Sequence, residues 1–348
     1  MSLEENIRKV VPYTPGEQPQ RKVIKLNTNE CPYPPSDKAV KALREFDTEL
    51  FRKYPDPDCA GLVSAIAEYY KVNKNQVFVG VGSDDVLSMC FLTFFAGKKP
   101  ILFPDITYSF YDVWADVYRI PYETIALDED FNIRAEDYKK ENGGIVIANP
   151  NAPTGVEESL EKIEEIISSS KDSVVIIDEA YADFGVETAL PLINKYKNLI
   201  VTRTMSKSRA LAGMRIGYAF GDEKLIKYLN DVKFSVNSYT MNMPALVAGE
   251  AAIKDDEYFR EIRDKVVATR EWTKKELKKL GFSFRDSQTN FIFARHESAS
   301  AEQLFEELKS HDIYVRYFKK PRLSDYLRIS IGTDEEMKKL IDVLATLV

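Results

Sequence analysis

Residues 173–184, Ser-Val-Val-Ile-Ile-Asp-Glu-Ala-Tyr-Ala-Asp-Phe, form an unbroken β-branched run that stops at an acid. Apolar residues with no polar alternation predict a strand buried on both faces, as in a parallel sheet covered by helices. Ligands of open α/β sheets bind beyond the carboxyl ends of the strands, where Asp178 and, three residues on, Tyr181 fall. Similar runs at 77–79, 101–103, 145–148 and 199–202 alternate with helical patterns. The predicted fold is therefore α/β, a mainly parallel sheet with helices on both faces. Beyond it, residues 255–279 have the 3.6 spacing of a long amphipathic helix. Strand-like segments at 282–285, 290–293, 313–316 and 326–331, with a helix at 301–310, predict a smaller α+β domain. The expected division is an N-terminal arm (1–30), a large domain (31–240) and a small C-terminal domain (241–348) that packs with the arm. No repeat or low-complexity linker marks the boundaries.

Outward from this strand, residues 199–218, LIVTRTMSKSRALAGMRIGY, carry Thr204, Ser206, Lys207 and Arg215. Lys207 offers an amine able to condense with an aldehyde, and the hydroxyls and guanidinium nearby suit a phosphate. One lysine among 48 Lys and Arg is weak evidence alone, because most such side chains are solvated surface. Its partners carry the case. Asp178 could hold a pyridine nitrogen protonated, since a nearby cation and anion each favour the other's charged form. In residues 77–94, VFVGVGSDDVLSMCFLTF, Gly82, Ser83 and Asp84 open a helix, an arrangement whose free N–H groups favour an anion. Asp84 would repel a phosphate, so it is expected to point away as a cap. Residues 145–156, IVIANPNAPTGV, end a further buried strand in a Pro-stiffened turn that could present Asn149 and Asn151.

As a set, Gly-Ser-Asp, Tyr108, Asn-Pro-x-x-Pro-Thr-Gly, Asp-x-x-Tyr, Ser-Lys and Arg215 resemble the fold-type I, class I/II aminotransferases over nearly the whole chain. The resemblance implies a pyridoxal 5'-phosphate (PLP) cofactor attached to Lys207. It implies that Asp178 pairs with the ring nitrogen, Tyr181 contacts the ring hydroxyl and Tyr108 stacks on the ring face. Gly82, Ser83, Asp84, Thr204, Ser206 and Arg215 match the phosphate cup. One departure is plain. The family's second asparagine before Pro-Thr-Gly is Ala152 here, which leaves the ring hydroxyl to Asn151 or to Tyr181 alone.

Residues 12–36, PYTPGEQPQRKVIKLNTNECPYPPS, together with 287–295, 314–318 and 326–333, look like the histidinol-phosphate aminotransferase branch. That likeness implies transamination between histidinol phosphate and 2-oxoglutarate, giving glutamate, with Tyr13, Arg316 and Arg328 holding the substrate phosphate. Residues 52–62 resemble the segment whose tyrosine, here Tyr54, reaches the cofactor phosphate of a neighbouring subunit, so a homodimer with shared sites is expected. Threonine-phosphate decarboxylase and aromatic amino-acid aminotransferases are the neighbouring readings. Effector-sensing domains of transcription regulators share the fold but add a DNA-binding module.

Composition agrees with a cytoplasmic enzyme. With 348 residues, 44% hydrophobic and 30% charged, the chain can bury a large core. A net charge of −7 argues against nucleic acid. Cys31, Cys59 and Cys90 are scattered, and His296 and His311 are the only histidines, so neither a disulfide framework nor a metal is expected. The amino terminus lacks an apolar signal core and no apolar run approaches a membrane span.

Overall fold

The computed structural model describes residues 3–348; the first two residues of the expected arm lie outside them. Across the main sheet the seven strands run in the order Val77–Val81, Ile216–Gly221, Leu199–Thr204, Val175–Asp178, Gly144–Ala148, Ile101–Pro104 and Tyr122–Ile125. Ile216–Gly221 is antiparallel to both its neighbours, and every other pair is parallel. Successive residues of the central strands feed two different cores. Ile145, Ile147, Val175, Ile177, Leu199 and Val201 join one cluster, whereas Val146, Ile176 and Ile200 join another on the opposite face. The missing polar alternation follows, since each fully buried aliphatic side chain is worth about 1.5–3 kcal/mol.

The second sheet is antiparallel, in the order Arg316–Tyr317, Leu327–Ser330, Phe291–His296 and Phe282–Phe284. Its core draws on the helices Ala301–Ser310 and Asp334–Leu347 and on Val266 and Leu277 of the 24-residue helix Asp256–Lys279. Thr333 and Glu336 form a reciprocal capping box at the start of the last helix, which satisfies two otherwise orphaned N–H groups.

One segment sits as expected and one sits differently from the expected division. Ile24–Lys25 pairs in parallel with Ile313–Tyr314, and Leu26 is buried in the second core. The end of the arm is thus built into the C-terminal unit. Conversely, the helix Met243–Lys254, expected in the small domain, places Ala245, Ala252 and Ile253 in the large core. Among the described residues, no helix is long and apolar enough to cross a membrane.

Candidate active site

A cavity of about 360 Å3 opens at the carboxyl ends of the central strands. Ser83, Asp84, Tyr108, Asp178, Tyr181, Ser206, Lys207 and Arg215 line it, with Thr28, Glu30 and Ala152. Eight residues chosen from four separate sequence segments therefore converge. Lys207 Nζ donates to the Thr28 carbonyl at 3.1 Å and lies 5.7 Å from the centre of the Tyr181 ring.

Asp178 ends its strand only 5% exposed. Tyr111 Oη donates to one carboxylate oxygen at 3.0 Å and Thr202 Oγ1 to the other at 3.1 Å. Burial pushes the acid up to about 6, against the pull of these hydroxyls and of the Ala180 N–H. A buried carboxylate so placed is completed by a cationic partner, which a pyridinium nitrogen would supply.

In the same cavity, Ser83 and Ser206 present hydroxyls beside Arg215 and the first turn of the helix Gly82–Phe94. Gly82 has φ +84°, and a Cβ there would lie 2.4 Å from Arg215 Nη2. The position suits glycine both for its left-handed backbone and for the close approach of the guanidinium. Hydroxyls, an arginine, a helix start, a buried acid and an amine around one cavity fit a ring that carries a phosphate arm.

Expectations about four side chains are corrected. Asp84 does not point away. Its carboxylate accepts from Tyr108 Oη at 2.7 Å and from Arg215 Nη2 at 2.9 Å. The capping belongs to Asp85, which accepts the Val81 N–H at 2.9 Å. The Asp84–Arg215 pair is about 40% exposed on both sides and is worth at most about 1 kcal/mol, so it orients the guanidinium without using up its charge. Asn151 does not line the cavity. Its Oδ1 accepts from Thr107 and its Nδ2 donates to the Ile106 carbonyl and to Thr154, so its hydrogen-bonding capacity is spent holding the turn. Asn149 is likewise engaged, bonded twice to the Glu158 backbone. Thr204 is buried behind the cavity, 2.9 Å from Ser206 Oγ and accepting the Ser206 N–H, and thus backs a lining hydroxyl.

Ala152 itself lines the cavity, and the Tyr181 hydroxyl takes its hydrogen bond from Asn29 Nδ2 at 2.9 Å. Asn29 is buried, has φ 55° and is fixed by Ser330 and Asn290. Its position in Leu-Asn-x-Asn-Glu was the only sequence signal for it. Tyr111 and Thr202 gave none, because a hydroxyl buried against an acid distant in sequence looks like any core residue.

Arg316 and Arg328 face each other directly across adjacent antiparallel strands. Like charges opposite one another destabilise a sheet. Arg316 spends its Nη atoms on the Thr14 and Pro15 carbonyls of the arm, at 3.0 and 3.3 Å. Arg328 Nη2 donates to the Asn27 carbonyl at 2.9 Å, but its Nε is buried without a partner. Burial first, and the charge of Arg316 among the smaller causes, pull Arg328 below the usual arginine value. Tyr13 stacks on Phe110 at 4.2 Å. With Arg316 it lines a groove of about 600 Å3 that shares Tyr108 with the cavity. Tyr54 lies apart, 77% exposed and stacked on Tyr239 at 4.5 Å. Among the described residues, no group of three His, Cys, Asp or Glu side chains could hold a metal ion.

A Schiff-base-competent lysine and a buried acid in one cavity, at the strand ends of this fold, fit the class of PLP-dependent enzymes. The family described as aminotransferase class I and II matches residues 21–344, and the chain belongs to it. Histidinol-phosphate aminotransferase of Clostridium beijerinckii is 51% identical over 341 residues, covering 98% of this chain and 95% of the relative. The protein of that name from Marinomonas sp. (strain MWYL1) is 52% identical over 347 residues, with 99% and 98% covered. In fold, the chain matches histidinol-phosphate aminotransferase from Sinorhizobium meliloti in complex with pyridoxal-5'-phosphate, with a TM-score of 0.85 at 23% identity and 94% and 93% coverage. The Clostridium acetobutylicum enzyme also gives 0.85, at 24% identity and 93% and 99% coverage.

Proposed function

We propose that this enzyme transfers the amino group of histidinol phosphate to 2-oxoglutarate, forming the keto phosphate and glutamate in histidine biosynthesis. PLP, held in the Lys207 cavity, supplies the electrophilic aldehyde and the ring that takes up the α-carbon's electrons. Lys207 carries the proton between the substrate's α-carbon and the cofactor. Asp178 keeps the ring nitrogen protonated, Tyr108 covers the ring face, and Tyr181, oriented by Asn29, serves the ring hydroxyl. Ser83, Ser206 and Arg215 hold the cofactor phosphate, with Asp84 orienting Arg215. Tyr54 of a second copy completes that cup, so the working unit is a homodimer, placed in the cytoplasm.

The observation that carries the substrate is the opposed pair Arg316 and Arg328, with the unpartnered Nε of Arg328. One carboxylate would balance one arginine. A phosphate dianion balances both, each charge-assisted bond being worth about 1.5–3 kcal/mol. Relatives that are about 50% identical and bear the name histidinol-phosphate aminotransferase support the same reading.

The test compares turnover of histidinol phosphate with that of histidinol. The phosphorylated substrate should lead by at least about 100-fold in kcat/KM, and Arg316→Gln or Arg328→Gln should erase most of the difference through KM. Equal use of both substrates, or carbon dioxide release from threonine phosphate, would overturn the proposal.

A further inference from the structure

Two hydroxyls that do not line the cavity, and that the substrate cannot reach, bond to the acid from behind. Tyr111 is fully buried at the start of the helix Tyr111–Tyr118, and Thr202 is fully buried one strand away from Asp178. Each hydroxyl donates to a different oxygen of the Asp178 carboxylate. Tyr111 is held from several sides, its ring lying 5.8 Å from Tyr108, 5.9 Å from Phe103 and 6.1 Å from Phe91. Neither hydroxyl can swing to another task without opening the core.

We propose that Tyr111 and Thr202 are positioning residues, acting through Asp178, that decide where the proton between this carboxylate and the cofactor's ring nitrogen resides. The inference rests on the reading of the cavity as a PLP site. A carboxylate in a dry pocket is a strong base and competes with the ring for that proton. Two donated hydrogen bonds stabilise the ionised carboxylate and lower its basicity, which leaves the proton on the ring nitrogen, where the electron sink needs it. The hydroxyls themselves stay protonated: burial, then the charge of Asp178, holds Tyr111 well above the ordinary tyrosine range. The other titratable groups facing Asp178 are Asp84, which raises it, and Cys90, whose thiol burial keeps neutral. Tyr181 and Lys207 face it across the cavity.

The deciding experiment begins without cofactor. Apo-protein carrying aspartate labelled with 13C at the carboxyl carbon is titrated by NMR, the Asp178 signal being assigned from its absence in Asp178→Asn. Tyr111→Phe and Thr202→Val should each raise the Asp178 midpoint by roughly one pH unit. After loading with PLP labelled with 15N in the ring, both variants should move the ring-nitrogen signal toward its unprotonated position. An unmoved midpoint in both variants, with circular dichroism matching the parent, would overturn the proposal. So would a moved midpoint with an unchanged ring nitrogen, because the hydroxyls would then act on Asp178 alone. A parent protein that takes up no PLP overturns the reading of the cavity, and this proposal with it, whatever the apo titration gives.

Discussion

At the scale of single residues, Lys207 and Asp178 make the most direct predictions. Lys207→Ala should still bind PLP, because the phosphate cup and Asp178 remain. Transamination should fall by at least about 10²–10⁴-fold, since the proton carrier is gone; near-normal single turnovers in stopped flow would refute that role. Asp178 links the site to stability. Its folded value of about 6 is raised above the ordinary 3.8. The folded apo-protein therefore holds this proton more tightly than the unfolded chain and loses stability as pH rises between about 4 and 6. A shift of two units corresponds to about 3 kcal/mol. Urea titrations of apo Asp178→Asn against the parent should show the variant gaining by up to this amount between pH 4 and pH 7. Relative to the parent, whose acid ionises over the same range, the variant's affinity for PLP should fall. A stability difference independent of pH would contradict the assignment.

At the scale of elements, the reading of the strands succeeded where burial leaves a mark on sequence. The runs in Gly144–Ala148, Val175–Asp178 and Leu199–Thr204 are apolar because helices cover both faces. Ile216–Gly221 lacks a readable run because Gly217, Ala219 and Gly221 interrupt its strand formers, although Gly217 lets the strand pass against Gly82; a Cβ there would lie 2.3 Å from the Gly82 carbonyl carbon. Tyr122–Ile125 is an edge strand, mostly exposed, with no apolar run to read. The two acids Asp84 and Asp85 could not be told apart, because what separates them is Arg215, brought in from 131 residues away. Asn151 shows the same limit: its residue type suits a ligand contact, but its partners Ile106 and Thr107 belong to a different loop. Asn151→Ala should accordingly act on the turn. It should cost about 1–3 kcal/mol by leaving buried partners unpaired, and the pH profile of the bound cofactor's absorbance should stay unchanged. A shifted profile at unaltered stability would return Asn151 to the ring.

At the scale of the whole molecule, the proposed role of Tyr54 in a neighbour's cofactor cup calls for two copies. Tyr54 lies exposed on its own protomer beside Tyr239, away from the cavity. If it serves a partner's cofactor phosphate, Tyr54→Ala should weaken PLP about 10- to 100-fold, the worth of one charge-assisted bond. Complementation gives a sharper test. Mixed dimers of Tyr54→Ala and Lys207→Ala chains contain one site with an intact lysine and an intact tyrosine from the other chain. Mixing the two weakly active variants should restore activity toward one working site per hybrid. Unrestored activity, with hybrids verified by native mass spectrometry, would place each site within a single chain.

The most direct measurement is a half-reaction. PLP-loaded protein is mixed with histidinol phosphate, 2-oxoglutarate is withheld, and the cofactor's visible absorbance is followed. The account predicts stoichiometric loss of that absorbance, release of the keto phosphate and recovery on adding 2-oxoglutarate. Unchanged absorbance with histidinol phosphate, alongside conversion by phenylalanine or tyrosine, would contradict it and assign the arginine pair to a carboxylate instead.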